Sequence, residues 1–143
     1  MTDPKAPPLR LLAQDVEDLA IISAAVQDAV VKLGDITYEA KARRLTLAFN
    51  RYRWEAGGER VRSGMQLGGV LNVQSRKLKR GAKDAVVEIL AVTFEPGEEA
   101  PGGCIVFSFA GDADLKAEVE CIDAVLADVS EPWPTPRTPA HEV

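Results

Sequence analysis

The stretch FNRYRWEAGGERVRSG, Phe49 to Gly64, sets Arg51, Arg53, Arg60 and Arg62 around Tyr52 and Trp54. Guanidinium forks match phosphates and carboxylates, and arginine beside aromatic rings also suits stacked bases. A second basic run, SRKLKR, supplies Arg76, Lys77, Lys79 and Arg80. Placed on a neighbouring strand, it joins the first in one basic, aromatic patch for an anionic partner. A plainer reading makes Tyr52 and Trp54 core anchors and the arginines a solvated rim. Strand parity sharpens the choice. If the strand continues past Phe49, Arg51 and Arg53 take the face of Leu45, Leu47 and Phe49, and Tyr52 and Trp54 take the other. One set must then leave the core, either because the strand projects beyond its covering helix or because a bulge near Asn50 swaps the faces.

Other chemistries find little support. The single histidine, His141, stands two residues from the end of the sequence. That position excludes histidine triads, histidine-ligated zinc and histidine acid–base work inside the fold. The sequence holds no P-loop, nucleotide-binding glycine fingerprint or nucleophile elbow, so no cofactor is expected. GDAD, Gly111 to Asp114, offers two carboxylates, but a calcium loop needs several more oxygen ligands, and a polar turn is the simpler reading. Glu118 and Glu120 share a strand face, as a carboxylate pair or as a solvated surface. Cys104 and Cys121 each sit in an apolar pattern and read as reduced, buried, small hydrophobes.

The elements that must position these groups follow from periodicity. After a short strand, LRLLA, a helix begins at Asp15. Leu19, Ile22, Val26, Ala29, Val30 and Leu33 recur at helical spacing, and Gly34 ends it. From Ile36 the period changes towards 2: Ile36 and Tyr38, then Leu45, Leu47 and Phe49, flank AKARR as a hairpin. In MQLGGVLNVQS, Met65, Leu67, Leu71 and Val73 share one parity, with a bulge at Gly68 and Gly69. AVVEILAVTF is apolar on both parities and fits a central strand. EPGEEAPGG is an acidic turn, Ile105, Phe107 and Phe109 form a further strand, and AGDAD turns into Leu115, Ala117, Val119 and Cys121. Residues 122–130 satisfy helix and strand alike. The expected fold is α+β: a curved antiparallel sheet or partly open barrel of about six strands, with one N-terminal amphipathic helix packed on it.

A chain of 143 residues fits one domain, and at this size folding buries about 70% of the surface that the unfolded chain exposes. Proline-rich ends predict a flexible tail over residues 1–8, a single domain over 9–130 and a second tail over 131–143, with Trp133 able to dock on the domain. No apolar run approaches the roughly 20 residues of a membrane span, and MTDPKAPPLR lacks a signal peptide's apolar core, so a cytoplasmic protein without membrane contact is expected. Charge is unevenly spread. Residues 41–80 hold eleven Lys or Arg against two acids, a net of plus nine, and the remaining six bases and twenty acids leave minus fourteen. Such asymmetry suits a positive face that meets an anion, or two opposite faces that meet between copies of the chain.

The stretches LLAQDVEDLAIISAAVQDAVVKLGDITYEAKARRLTLAFNRYRWE, GVLNVQSR, and FAG followed by VECIDAVLADVSEPW resemble the DUF2948 proteins of alphaproteobacteria. The resemblance covers nearly the whole domain. It implies a small protein of bacterial housekeeping and brings no catalytic residues. Members commonly carry a glycine triplet after FA, where this chain has Gly111, Asp112 and Ala113. The expected function is a non-enzymatic binding or interaction module that uses the basic, aromatic surface on another protein or on its own twin. The alternatives are an RNA-binding accessory protein and an enzyme with a carboxylate-based site.

Overall fold

Asp15 starts the helix as the sequence predicts: its carboxylate accepts the Asp18 N–H at 2.8 Å and caps α1, Val16–Val26. Replacing Asp15 by alanine is expected to cost about 1 kcal/mol of stability in a denaturant titration, because that N–H loses its partner. Leu19, Ile22 and Val26 form the buried stripe of α1. The helix ends eight residues before Gly34, however, and Val30 and Leu33 belong to a strand. Asp28 takes a left-handed φ of 64°, and its N–H donates to the Ile89 carbonyl at 2.7 Å. The β-branched pair Val30-Val31 then prefers a pleated surface to another helical turn.

The computed structural model describes residues 7–79 and 81–136. His141, Arg80 and the outer parts of both expected tails lie outside them. Among the described residues, ten strands accompany the helix rather than about six: β1 Arg10–Ala13, β2 Val30–Glu39, β3 Arg44–Tyr52, β4 Glu59–Leu67, β5 Val70–Arg76, β6 Val86–Pro96, β7 Gly103–Phe109, β8 Ala113–Val119, β9 Ala124–Asp128 and β10 Trp133–Pro134. They form one unclosed sheet in the order β1-β9-β4-β3-β2-β6-β7-β8-β5, with β10 beside β4, and every pairing is antiparallel. The class is therefore α+β as expected, and the ambiguous residues 122–130 contain a strand.

The strand count rises partly because Gly68 and Gly69 do more than bulge. Gly69 adopts a φ of 65°, and the chain switches from pairing with β3 and β9 to pairing with β8. Parity resets at the switch: Met65, Leu67 and Val70 are buried, whereas Leu71 is exposed and Val73 half-buried. The segment between β8 and β9 turns alongside, with the Gly68 N–H on the Asp123 carbonyl at 2.9 Å and the Glu120 N–H on the Gly69 carbonyl at 3.0 Å.

The hairpin of β2 and β3 pairs Tyr38 with Leu45 as the alternation requires, and β6 is central between β2 and β7. Its outer face is open, with Val86 and Leu90 exposed. Helix α1 packs on β6, β1 and β3, and the Ser23 hydroxyl accepts the Val92 N–H at 2.8 Å, next to a register shift in β6. Leu45, Leu47, Phe49, Met65, Ile105, Phe107, Phe109 and Leu126 meet the helix's apolar stripe in one core. No helix among the described residues is long and apolar enough to cross a membrane.

Candidate functional site

Leu45, Leu47, Phe49 and Arg51 share the inner face of β3. The register with β4 runs unbroken from Leu45 opposite Leu67 to Tyr52 opposite Arg60, so no bulge at Asn50 swaps the faces. Nor does the strand end carry Arg51 into water: the side chain is 0% exposed. Both sequence-based ways out of the parity conflict are thus corrected, because the core itself takes the charge. Arg51 Nε and Nη2 donate to Asp128 Oδ1 and Oδ2, each at 2.8 Å. Nη1 and Nη2 donate to Glu55 Oε1 at 3.0 Å and Oε2 at 2.6 Å, and Nη1 also reaches the Tyr52 carbonyl at 3.3 Å. Those bonds occupy every N–H of the guanidinium.

Asp128 is equally committed. It accepts the Leu9 N–H at 2.8 Å and the Ser63 hydroxyl at 2.7 Å besides Arg51. Burial pushes its carboxyl up, but the hydrogen bonds from Arg51, Leu9 and Ser63 outweigh burial and hold it below its ordinary range. For Glu55 the Arg51 hydrogen bond is the largest influence and lowers the carboxyl against partial burial. Burial disfavours the Arg51 cation, yet the bonds to Glu55 and Asp128 raise its pKa further. All three groups are therefore charged at neutral pH, and neither carboxyl holds a proton to donate there.

Arg53 is buried as well and pairs with Glu59 through Nη1. Neither Arg51 nor Arg53 forms a solvated rim. The aromatics beside them close the turn after β3: the Tyr52 hydroxyl accepts the Gly58 N–H at 2.7 Å, and the Tyr52 and Trp54 rings meet edge-on at 4.8 Å. Trp54 Nε1 donates to the Gln27 carbonyl at the end of α1 at 3.1 Å. Tyr52 is buried, but Trp54 remains 37% exposed, so it is only partly a core anchor.

Arg60 and Arg62 lie on the outer face of β4. Arg60 donates to the Asn50 carbonyl at 3.2 Å. Arg62 bonds Asn50 Oδ1 at 3.2 Å and Asp35 at 2.8 Å. The second basic run is elsewhere, because β5 ends the sheet order, separated from β4 by β3, β2, β6, β7 and β8. Arg76 and Lys77 there bind the GDAD turn: Arg76 reaches Asp112 at 3.1 Å and Asp114 at 2.8 Å, and Lys77 reaches Asp112 at 2.9 Å. The hydrogen bonds from Arg76 and Lys77 lower the Asp112 carboxyl to about 2. The two carboxylates are thus engaged by the side chains of Arg76 and Lys77. Lys79 lies apart again, on the wall of a cavity. The expected single patch is therefore divided into an internal pair, an outer pair on β4 and an ion-paired cluster on β5.

Residues 9–141 match the model of a family described as a protein of unknown function, DUF2948. The chain belongs to the DUF2948 family. No curated protein and no solved structure matches it.

What sequence reasoning missed in the DUF2948 domain is the acidic half of the buried network. Asp128 shares the parity of Ala124 and Leu126, which would have flagged an inward carboxylate had residues 124–128 been fixed as a strand. Glu118 and Glu120 are both exposed, and Glu120 pairs with Arg43 at 2.8 Å. Cys104 and Cys121 are free thiols, half-buried rather than buried. Among the described residues, no group of three or more His, Cys, Asp or Glu could hold a metal ion.

Proposed function

We propose that the DUF2948 domain is a non-enzymatic protein-interaction module that binds through a short aromatic and arginine row on its outer face. The observation that carries this reading is the register: Arg60 on β4 stands opposite Trp133 on β10 and opposite buried Tyr52, which forms the base of the row, so the three share one face. Trp54 packs against Tyr52 at the end of the row, and Trp54 and Trp133 are each 37% exposed. Tryptophan, tyrosine and arginine dominate the energetics of protein interfaces, because they combine large apolar area with a few directed polar atoms. Arg60 makes no ion pair among the described residues, which suits a partner carrying a carboxylate beside an apolar side chain. The ionised state of Asp128 and Glu55 favours binding over acid catalysis. Two free cysteines favour a reducing compartment such as the cytoplasm.

The test is capture from a lysate of the source cell with the native chain and with Arg60→Glu plus Trp133→Ser, with and without nuclease and at two salt concentrations. A protein band that resists nuclease and disappears with the variant is expected. Retention of the band by the variant removes this surface from the reading. RNA that copurifies and leaves at high salt replaces protein interaction by RNA binding.

A further inference from the structure

The inner face of the sheet does not fill completely between β2 and the β5–β8 pair. A cavity of about 370 Å³ opens there, beneath the segment that joins β5 to β6. Its wall is built by alternation. Ile36 and Tyr38 point inward from β2 opposite Leu47 and Leu45, and Leu115 is buried on β8 opposite Ser75 of β5. Leu33 and Leu78 complete the apolar wall. The size lies within the range of small-molecule sites, which are mostly apolar with a few placed polar groups.

The charged residues at this cavity are of one sign. Lys79 and Lys83 are among its lining residues and no carboxylate is, in a chain with five more acids than bases. Neither lysine makes an ion pair among the described residues, whereas Arg76 and Lys77 on the neighbouring strand are neutralised by Asp112 and Asp114. Charge complementarity and an apolar wall together select an occupant with an apolar body and an anionic head.

We propose that this cavity binds a small amphipathic anion. Its apolar body lies against Leu33, Ile36, Leu78 and Leu115, and its carboxylate or phosphate meets the Lys79 and Lys83 ammonium groups at the mouth. The Tyr38 hydroxyl, which donates to the Val70 carbonyl at 3.3 Å, and the Ser75 hydroxyl are the polar groups of the wall. The site is separate from the row of Tyr52, Arg60 and Trp133, so the two readings fail independently.

Calorimetric titration of the full chain with decanoate, decyl phosphate, decanol and butyrate tests the proposal. One equivalent of decanoate or decyl phosphate is expected to bind, the preference between them identifying the head group, with decanol and butyrate each weaker by about tenfold or more. Lys79→Glu with Lys83→Glu should weaken the anions about tenfold or more while sparing decanol, and the milder Lys79→Ala with Lys83→Ala should do so to a smaller extent. Leu115→Gln should weaken all the ten-carbon probes. No saturable binding by either anion overturns the proposal. So does anion affinity that is unchanged in both folded lysine variants.

Discussion

Arg51→Met is expected to destabilise the domain by about 3–5 kcal/mol, because it leaves Asp128 charged and buried without its counter-ion. The same variant should not change a binding surface, since Arg51 is inaccessible to any partner. Equilibrium denaturation measures the loss. A cost below about 1 kcal/mol would mean that Asp128 finds water or another donor instead. Acid titration gives a second readout. Asp128 and Glu55 have lowered pKa values in the folded chain, so their contribution is complete above the ordinary carboxylate range and is lost as pH falls through the folded values. The native chain should therefore lose stability on that acid limb, and Arg51→Met should lose less there because its carboxyls no longer prefer the folded state so strongly.

The second large effect is expected in α1. Ile22→Ala should cost about 2–5 kcal/mol by opening a cavity beneath the helix, whereas Ile21→Ala should stay within about 0.5 kcal/mol. The two residues are neighbours of one type, 0% and 58% exposed respectively, so the comparison isolates burial from composition. Equal losses in thermal or chemical unfolding would show that the helix presents a different face to β6.

These two sites also mark how far the fold could be read from residue order. The alternation of Leu45, Leu47 and Phe49 and the spacing of Leu19, Ile22 and Val26 report their faces because burial repeats with the period of each element. The helix end was hidden. Ala29, Val30 and Leu33 continue the helical spacing, and only the left-handed turn at Asp28, fixed by its bond to distant Ile89, breaks it. Arg51 was hidden for a related reason. Its parity pointed inward, but a buried guanidinium is tolerable only with a carboxylate supplied from far along the chain, and Asp128 is 77 positions away. The candidate surface was legible as residue types at Tyr52, Trp54 and Arg60. Its separation from Arg76 and Lys77 depended on the strand switch at Gly68 and Gly69, which the common parity of MQLGGVLNVQS disguised.

The pairing of β1 with β9 has a consequence for how the molecule is made. Arg10 to Ala13 leave the ribosome well before their partners Ala124 to Ala127, which follow more than a hundred residues later. Asp128, which receives both the Leu9 N–H and the Arg51 guanidinium, follows immediately. Until that segment emerges, the arginine lacks Asp128 and the first strand has no ladder to join. Closing such long loops costs entropy before any contact compensates for it. The native arrangement is thus completed only after nearly the whole domain has emerged, and a nascent chain stalled before Asp128 would leave Arg51 with Glu55 as its one counter-ion of the two.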